Sequence, residues 1–191
     1  MEGRERITAK EGVWSADMML ARGLWLVPLL ALLTAAGALV RVPVPGTPVP
    51  ATMQTFCVLI AGGVGGTAIG FLSQALYISL GLAGVPFFAG GLASAWPALP
   101  PTFGYLIGFA AAAALMGAGK ARGEGMLRLV LRGAACIALV YACGAGYLML
   151  ATRSDAATAL TMGVFPFVAW DLLKVLLAAF AIRKFRATRA R

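Results

Sequence analysis

Apolar stretches of roughly membrane-crossing length follow one another along this chain, and that succession limits the fold more than any other feature. The runs cover 24–40, about 52–63, about 66–81, about 103–119, about 129–151 and about 159–182. A helix needs about 20 mostly apolar residues to cross a hydrocarbon core about 30 Å thick. Six passages with their connectors use up the 191 residues and leave no room for a separate soluble domain. Charge supports this: 12% of residues are charged, about half the share of a soluble domain. The expectation is an all-α membrane protein with six transmembrane helices. A cytoplasmic lead covers 1–23, one membrane domain covers 24–183, and a basic tail covers 184–191.

The connectors differ in character. Basic residues before the first run, and small residues at its end, also fit a signal peptide. The lead is long and acidic, however, and the run outlasts a usual signal core, so a retained first span is expected. Between Val42 and Pro50 stand four prolines, Pro43, Pro45, Pro48 and Pro50, which exclude helix interior and predict an extended or turning loop. The second run is short for a full crossing, so a broken, tilted or re-entrant segment is expected. Such backbone is tolerated at membrane depth where it packs in protein or lines a cavity. A further Gly- and Pro-rich segment follows the third run, from Gly84 to Pro101.

Basic residues set the orientation. Four lie in the lead, four around 120–132 and five from Arg183 to Arg191, thirteen in all, against Arg41 and Arg153 in the other connectors and Lys174 in the last run. The positive-inside rule then places both termini and the 120–132 connector in the cytoplasm. It also explains the net charge of +9 without nucleic acid as a partner. Small residues recur at intervals of four, at Gly62/Gly66/Gly70, Gly104/Gly108 and Ala31/Ala35, a spacing that lets membrane helices approach closely. Packing within the chain is the ordinary reading. Docking of a partner protein is the sharper one, and it best fits Ala31 and Ala35 on the first span.

Catalytic chemistry has little to stand on. The chain has no histidine, which removes Ser-His triads and histidine metal sites. No P-loop signature is present, and the glycine run 62–66, without a following lysine, reads as a turn. Cys57, Cys136 and Cys143 form no CxxC pair and read as small buried hydrophobes. No cofactor or metal is expected.

One polar constellation remains. Asp171 and Lys174 stand three apart in the last run, on one face of a helix. Intramembrane ionisable residues cost about 2.5–3.5 kcal/mol each at the helix centre on insertion scales, and by default they mark a functional cavity. The competing reading is a structural ion pair with Lys174 reaching toward the interface. Together a carboxylate and an ammonium suit a neutral planar ligand that offers N–H and C=O on one edge. Gln54 can complete such a site or make an interhelical hydrogen bond. Phe88, Trp96, Tyr105 and Trp170 are candidates for apolar walls, with interface anchoring as the alternative for each.

These segments resemble those of a known family. Val44-Pro45-Gly46-Thr47-Pro48-Val49-Pro50-Ala51-Thr52-Met53-Gln54-Thr55 resembles the first-loop signature of BioY, the biotin-specific substrate-binding subunit of energy-coupling-factor (ECF) transporters. Gly84-Val85-Pro86-Phe87-Phe88-Ala89-Gly90-Gly91 resembles its outer-loop motif, Pro101-Thr102-Phe103-Gly104-Tyr105-Leu106-Ile107-Gly108-Phe109 the start of its fourth span, and Pro166-Phe167 with Asp171-Leu172-Leu173-Lys174 its sixth-span motif. The likeness covers about 24–183.

The resemblance implies an S-component-like bundle in the cell (inner) membrane. Biotin would lie near the outer face beneath the first loop, with Asp171 and Lys174 on its ureido ring. Gln54, Phe88, Gly90, Gly91, Tyr105 and Trp170 would complete the site. It implies as partners a transmembrane coupling protein, docked on alanine motifs such as Ala31/Ala35, and two cytoplasmic ATPases. Action without that module, or as a homo-oligomer, is the alternative. Three departures stand out: Pro100 and Phe103 replace family glycines, and 93–96 lacks an arginine that some relatives place near the biotin carboxylate. Arg41 or loop N–H groups remain as substitutes. The rival readings are an S subunit for another vitamin and a ligand-free assembly subunit.

Overall fold

The structure is a computed structural model that describes residues 23–89, 99–119 and 124–188. Most of the expected lead, Gly90, Gly91, Trp96 and the basic residues Lys120, Arg122, Arg189 and Arg191 lie outside the described residues.

Helix α1 (Leu26–Leu39) leads into strand β1 (Arg41–Val42), which pairs antiparallel with β2 (Ala51–Thr52) in the register Arg41 to Thr52. The proline-rich segment is the loop of this small ribbon. Prolines lack the amide hydrogen a helix needs, and in the loop that loss is harmless.

Helix α2 (Gln54–Leu82) is folded in two at Gly66. Gly66 has φ 83° and ψ −178° inside it. A straight helix would separate Gln54 and Tyr77 by about 35 Å at 1.5 Å per residue. Instead the Gln54 side chain donates to the Tyr77 hydroxyl at 2.8 Å. Residues 54–65 and 67–82 are therefore the two arms of a helical hairpin. Glycine is required at the pivot because a positive φ with extended ψ is closed to residues with a Cβ. Close by, a Cβ on Gly70 would come within 2.8 Å of the Gly62 Cα. The second run is thus a helical arm ended by a sharp turn, and the glycines spaced by four serve that reversal.

Helices α3 (Phe103–Ala118) and α4 (Met126–Thr152) match the expected fourth and fifth runs. The last run departs from the single helix expected over 159–182. It is split into α5 (Ala156–Gly163), a 3₁₀ turn (Phe165–Phe167) and α6 (Val168–Thr188). Pro166 lies in that turn, where a missing amide hydrogen is least costly. Helix α6 also carries the basic segment to Thr188, so much of the expected tail is helical.

The bundle has two distinct ends. At one lie the ribbon, Tyr77, the start of α3 and the start of α6. At the other lie the Gly66 turn, the end of α3, the start of α4 and the end of α6, and Gly23 packs there on Ile69. Arg186 closes this second end. It donates to the Gly63 carbonyl at 3.0 and 3.2 Å, to the Gly119 carbonyl at 2.9 Å and to Glu124 at 2.9 Å. Arg132 also pairs with Glu124, at 2.5 Å. Carbonyls at helix C-terminal ends lack intrahelical partners, and a guanidinium with several donors satisfies them. Burial pushes the Glu124 carboxyl up, but the hydrogen bonds and charges of Arg132 and Arg186 together hold it below its ordinary value.

Small residues line the helix contacts, with Ala61, Ala112, Ala113, Ala178 and Ala179 almost fully buried. Large apolar side chains instead point outward, among them Leu29, Leu32, Leu172, Leu173, Leu176 and Phe180. In water such a belt would drive aggregation, and in a bilayer it is the lipid-facing surface. The protein is membrane-embedded. The expected docking motif does not belong to that surface: Ala31 and Ala35 are 1% and 6% exposed. Together with Thr34 and Ala38 they form the buried face of α1, so their spacing serves packing within the chain.

Candidate functional site

The break in the last run decides where Asp171 sits. Because α6 starts at Val168, Asp171 falls in its first turn, where the helix dipole favours a carboxylate. Asp171 and Lys174 are each 4% exposed. They form an ion pair at 2.7 Å. Residues 171, 174, 175, 178, 179 and 182 form the buried face of α6.

A buried ion pair persists only when its remaining donors and acceptors are also satisfied. Here they are. Oδ1 of Asp171 accepts from Thr55 Oγ1 at 2.8 Å as well as from Lys174, and Oδ2 accepts from the Tyr141 hydroxyl at 2.6 Å. Lys174 Nζ donates to the Thr52 carbonyl at 2.6 Å and to Thr55 Oγ1 at 3.1 Å. All three ammonium protons have acceptors, so a ligand carbonyl must displace one. The longest contact, to Thr55, is the easiest to exchange. Four elements converge on this cluster: the ribbon, the first arm of α2, α4 and α6.

The pair opens on a cavity of about 300 Å³, at the small end of the range for small-molecule sites. Apolar groups make most of the wall, with Val49, Leu106, Phe109, Val140 and Phe167 facing the polar cluster. Gln54, Phe88 and Tyr105 also line it, so these sequence-predicted residues meet Asp171 and Lys174 in one chamber. Gln54 touches no charge. Its amide donates to Tyr77, its Oε1 accepts from Thr52 Oγ1 at 3.2 Å, and Tyr77 passes the chain on to the Phe87 carbonyl at 3.0 Å. Tyr105 donates to the Gly163 carbonyl at 2.8 Å, which ties α3 to the end of α5.

Trp170 is not part of the wall. It is 48% exposed, because one helix position turns the side chain by about 100° away from Asp171. Its place is on the flank that leads to the lipid-facing leucines. Gly90 and Gly91 lie outside the described residues. Arg41 borders a second, open recess of about 480 Å³ at the mouth of the chamber.

Three polar wall residues escape sequence reasoning: Thr52, Thr55 and Tyr141. The threonines lie beside Gln54 in the first-loop motif. Tyr141 looks like any aromatic in an apolar helix. Only the accounting for a buried carboxylate, which needs donors on both oxygens, exposes it.

The comparisons with known proteins point one way. A model of the BioY family matches residues 8–191. A probable biotin transporter BioY of Pyrococcus horikoshii is 38% identical over 156 residues, covering 82% of this chain and 91% of the relative. The biotin transporter BioY of Thermotoga maritima is 35% identical over 147 residues, covering 77% and 85%. The fold is similar to the crystal structure of an S-component for biotin from an ECF-type ABC transporter. The TM-score is 0.81 at 22% identity, over 90% of this chain and 94% of that one.

Proposed function

This chain belongs to the BioY family, and from that premise we propose that it captures biotin for uptake as the substrate-binding subunit of an ECF-type transporter. Its task is binding and translocation rather than catalysis. The observation that carries the reading is the buried Asp171–Lys174 pair, held by Thr52, Thr55 and Tyr141 and facing a chamber of small-molecule size.

The ureido ring of biotin is neutral, planar and complementary to that pair. Asp171 accepts from ring N–H groups, and Lys174 turns a proton from Thr55 to the ring oxygen. Charge-assisted bonds of this kind are about twice as strong as neutral ones. The fused ring and acid arm then lie along Val49, Leu106, Phe109, Val140 and Phe167. Gln54 and Tyr105 act one step back: Gln54 fixes the ribbon and Tyr77, and Tyr105 anchors the end of α5 through Gly163.

The path of the chain between the two ends of the bundle, with α2 counted as two arms, supports six crossings. The basic clusters and the shared end of Gly23 and Arg186 support cytoplasmic termini and an outward-facing chamber. The inner (cytoplasmic) membrane is the corresponding location, with a transmembrane coupling protein and two ATPases as partners. Biotin titrated into the purified full chain tests the reading. Saturable binding, abolished by Asp171→Asn and strongly weakened by Lys174→Ala, is expected. Absence of binding to the unaltered chain, or binding indifferent to both substitutions, would falsify it.

A further inference from the structure

Among the described residues that line the chamber, the polar groups suit the neutral end of the ligand and none is a free cation for the other end. Biotin ends in a carboxylate, and among the described residues the one cation lining the chamber, Lys174, is already paired with Asp171. Desolvating a carboxylate against apolar walls is unfavourable unless a donor meets it.

The ribbon supplies that donor. Arg41 pairs directly across from Thr52, and opposed residues of an antiparallel pair project on the same face. Thr52 lines the chamber and its carbonyl receives Lys174. Arg41 is therefore one strand away from the residue that meets the ion pair, and it lines the outer recess rather than the chamber itself. Its guanidinium donates through Nη1 to the Ala89 carbonyl at 3.1 Å. Pro48, Val49, Pro50 and Ala89 border both the chamber and the outer recess that Arg41 lines, so the two spaces share a wall. Among the described residues Arg41 has no carboxylate partner, and four of its five N–H groups have no acceptor.

We propose that Arg41 is an anion subsite at the mouth of the chamber, which takes the carboxylate of the ligand's acid arm. The subsite rests on the biotin reading above and adds a second recognition point to it. Ala89 aims the guanidinium across the mouth, and the planar fork of free donors matches a carboxylate in two-point geometry. Held at both ends, the ligand lies beneath the proline loop. Thr47 of that loop donates to the Met162 carbonyl at 2.6 Å, so the loop is tied down beside α5.

The test compares biotin with its neutral primary amide on the purified full chain, as wild type, Arg41→Gln and Arg41→Lys. In the wild type biotin is expected to bind at least about tenfold tighter than the amide, the scale of a charge-assisted contact. Arg41→Gln should remove that preference by weakening biotin about tenfold while leaving the amide unchanged. The unchanged amide also shows that the variant is folded. Arg41→Lys should keep part of the preference. If Arg41→Gln distinguishes acid from amide as well as the wild type does, the subsite is overturned and the biotin reading stands. If the wild type binds neither ligand, the biotin reading fails and the subsite fails with it.

Discussion

Two clusters of opposite charges sit at the two ends of this bundle, and they have much in common. Asp171 is held by Lys174, Thr55 and Tyr141, and Glu124 by Arg132 and Arg186. Both carboxylates are nearly inaccessible, with side chains 5% and 4% exposed. They differ in what they face. The Asp171 cluster opens on the chamber, and its lysine holds one long, exchangeable contact. Arg186 spends its donors on backbone carbonyls at Gly63 and Gly119 as well as on Glu124, and Glu124 lines neither described cavity. Charge in a membrane helix bundle therefore does not identify a site by itself. The distinguishing feature is an adjoining space into which a satisfied polar group can redirect a bond.

If this contrast is right, substitutions at the chamber end should act on affinity and those at the other end on stability. The largest effect is expected for Asp171→Asn. It removes the charged acceptor that meets the ligand's N–H groups, a loss of about 2–5 kcal/mol in binding. Biotin affinity measured by calorimetry should fall by about a thousandfold. Arg186→Met comes next. It should lower unfolding stability in detergent by about 2–3 kcal/mol, because a charge partner and several carbonyl contacts are lost together. Affinity in the folded fraction should be unchanged, and a large drop in affinity with normal stability would break the contrast.

Smaller effects sharpen it. Tyr141→Phe removes one charge-assisted bond to Asp171 while keeping the ring, so biotin should bind about tenfold more weakly, close to 1.4 kcal/mol. Glu124→Gln is expected to cost about 1 kcal/mol of stability near neutral pH. The folded carboxyl is held below its ordinary value. Its contribution is therefore full above the ordinary carboxylate range and is lost as pH falls through the lowered folded value. Melting curves of the wild type and this variant should converge on acidification. A gap that persisted at acid pH would remove ionic character from the clasp.

The positions of the helices were readable in the residues because hydropathy is local. The 103–119 and 129–151 runs reappear as α3 and α4 with boundaries shifted by at most three residues. The pairing of Asp171 with Lys174 was readable for the same reason, as two residues three apart on a helix must share a face. Ala31 and Ala35 show where such reasoning stops. Their spacing marks a close contact without saying whether the neighbour is this chain or another, and burial against the bundle answers it. Trp170 fails likewise, since its neighbour's role says nothing about its own direction.

The sequence by itself determined a helical membrane protein with clustered basic residues outside its apolar runs and one polar point in its last span, because those properties follow from transfer free energies and periodicities summed over neighbouring residues. Only the tertiary structure decided that α2 folds back at Gly66 and that α6 begins late enough to put Asp171 at a helix start. It alone decided that Thr55, 116 residues away, and Tyr141, 30 residues away, share that carboxylate. Contacts across such separations depend on how helices pack against one another, and helix packing is a property of the whole bundle rather than of any segment in it.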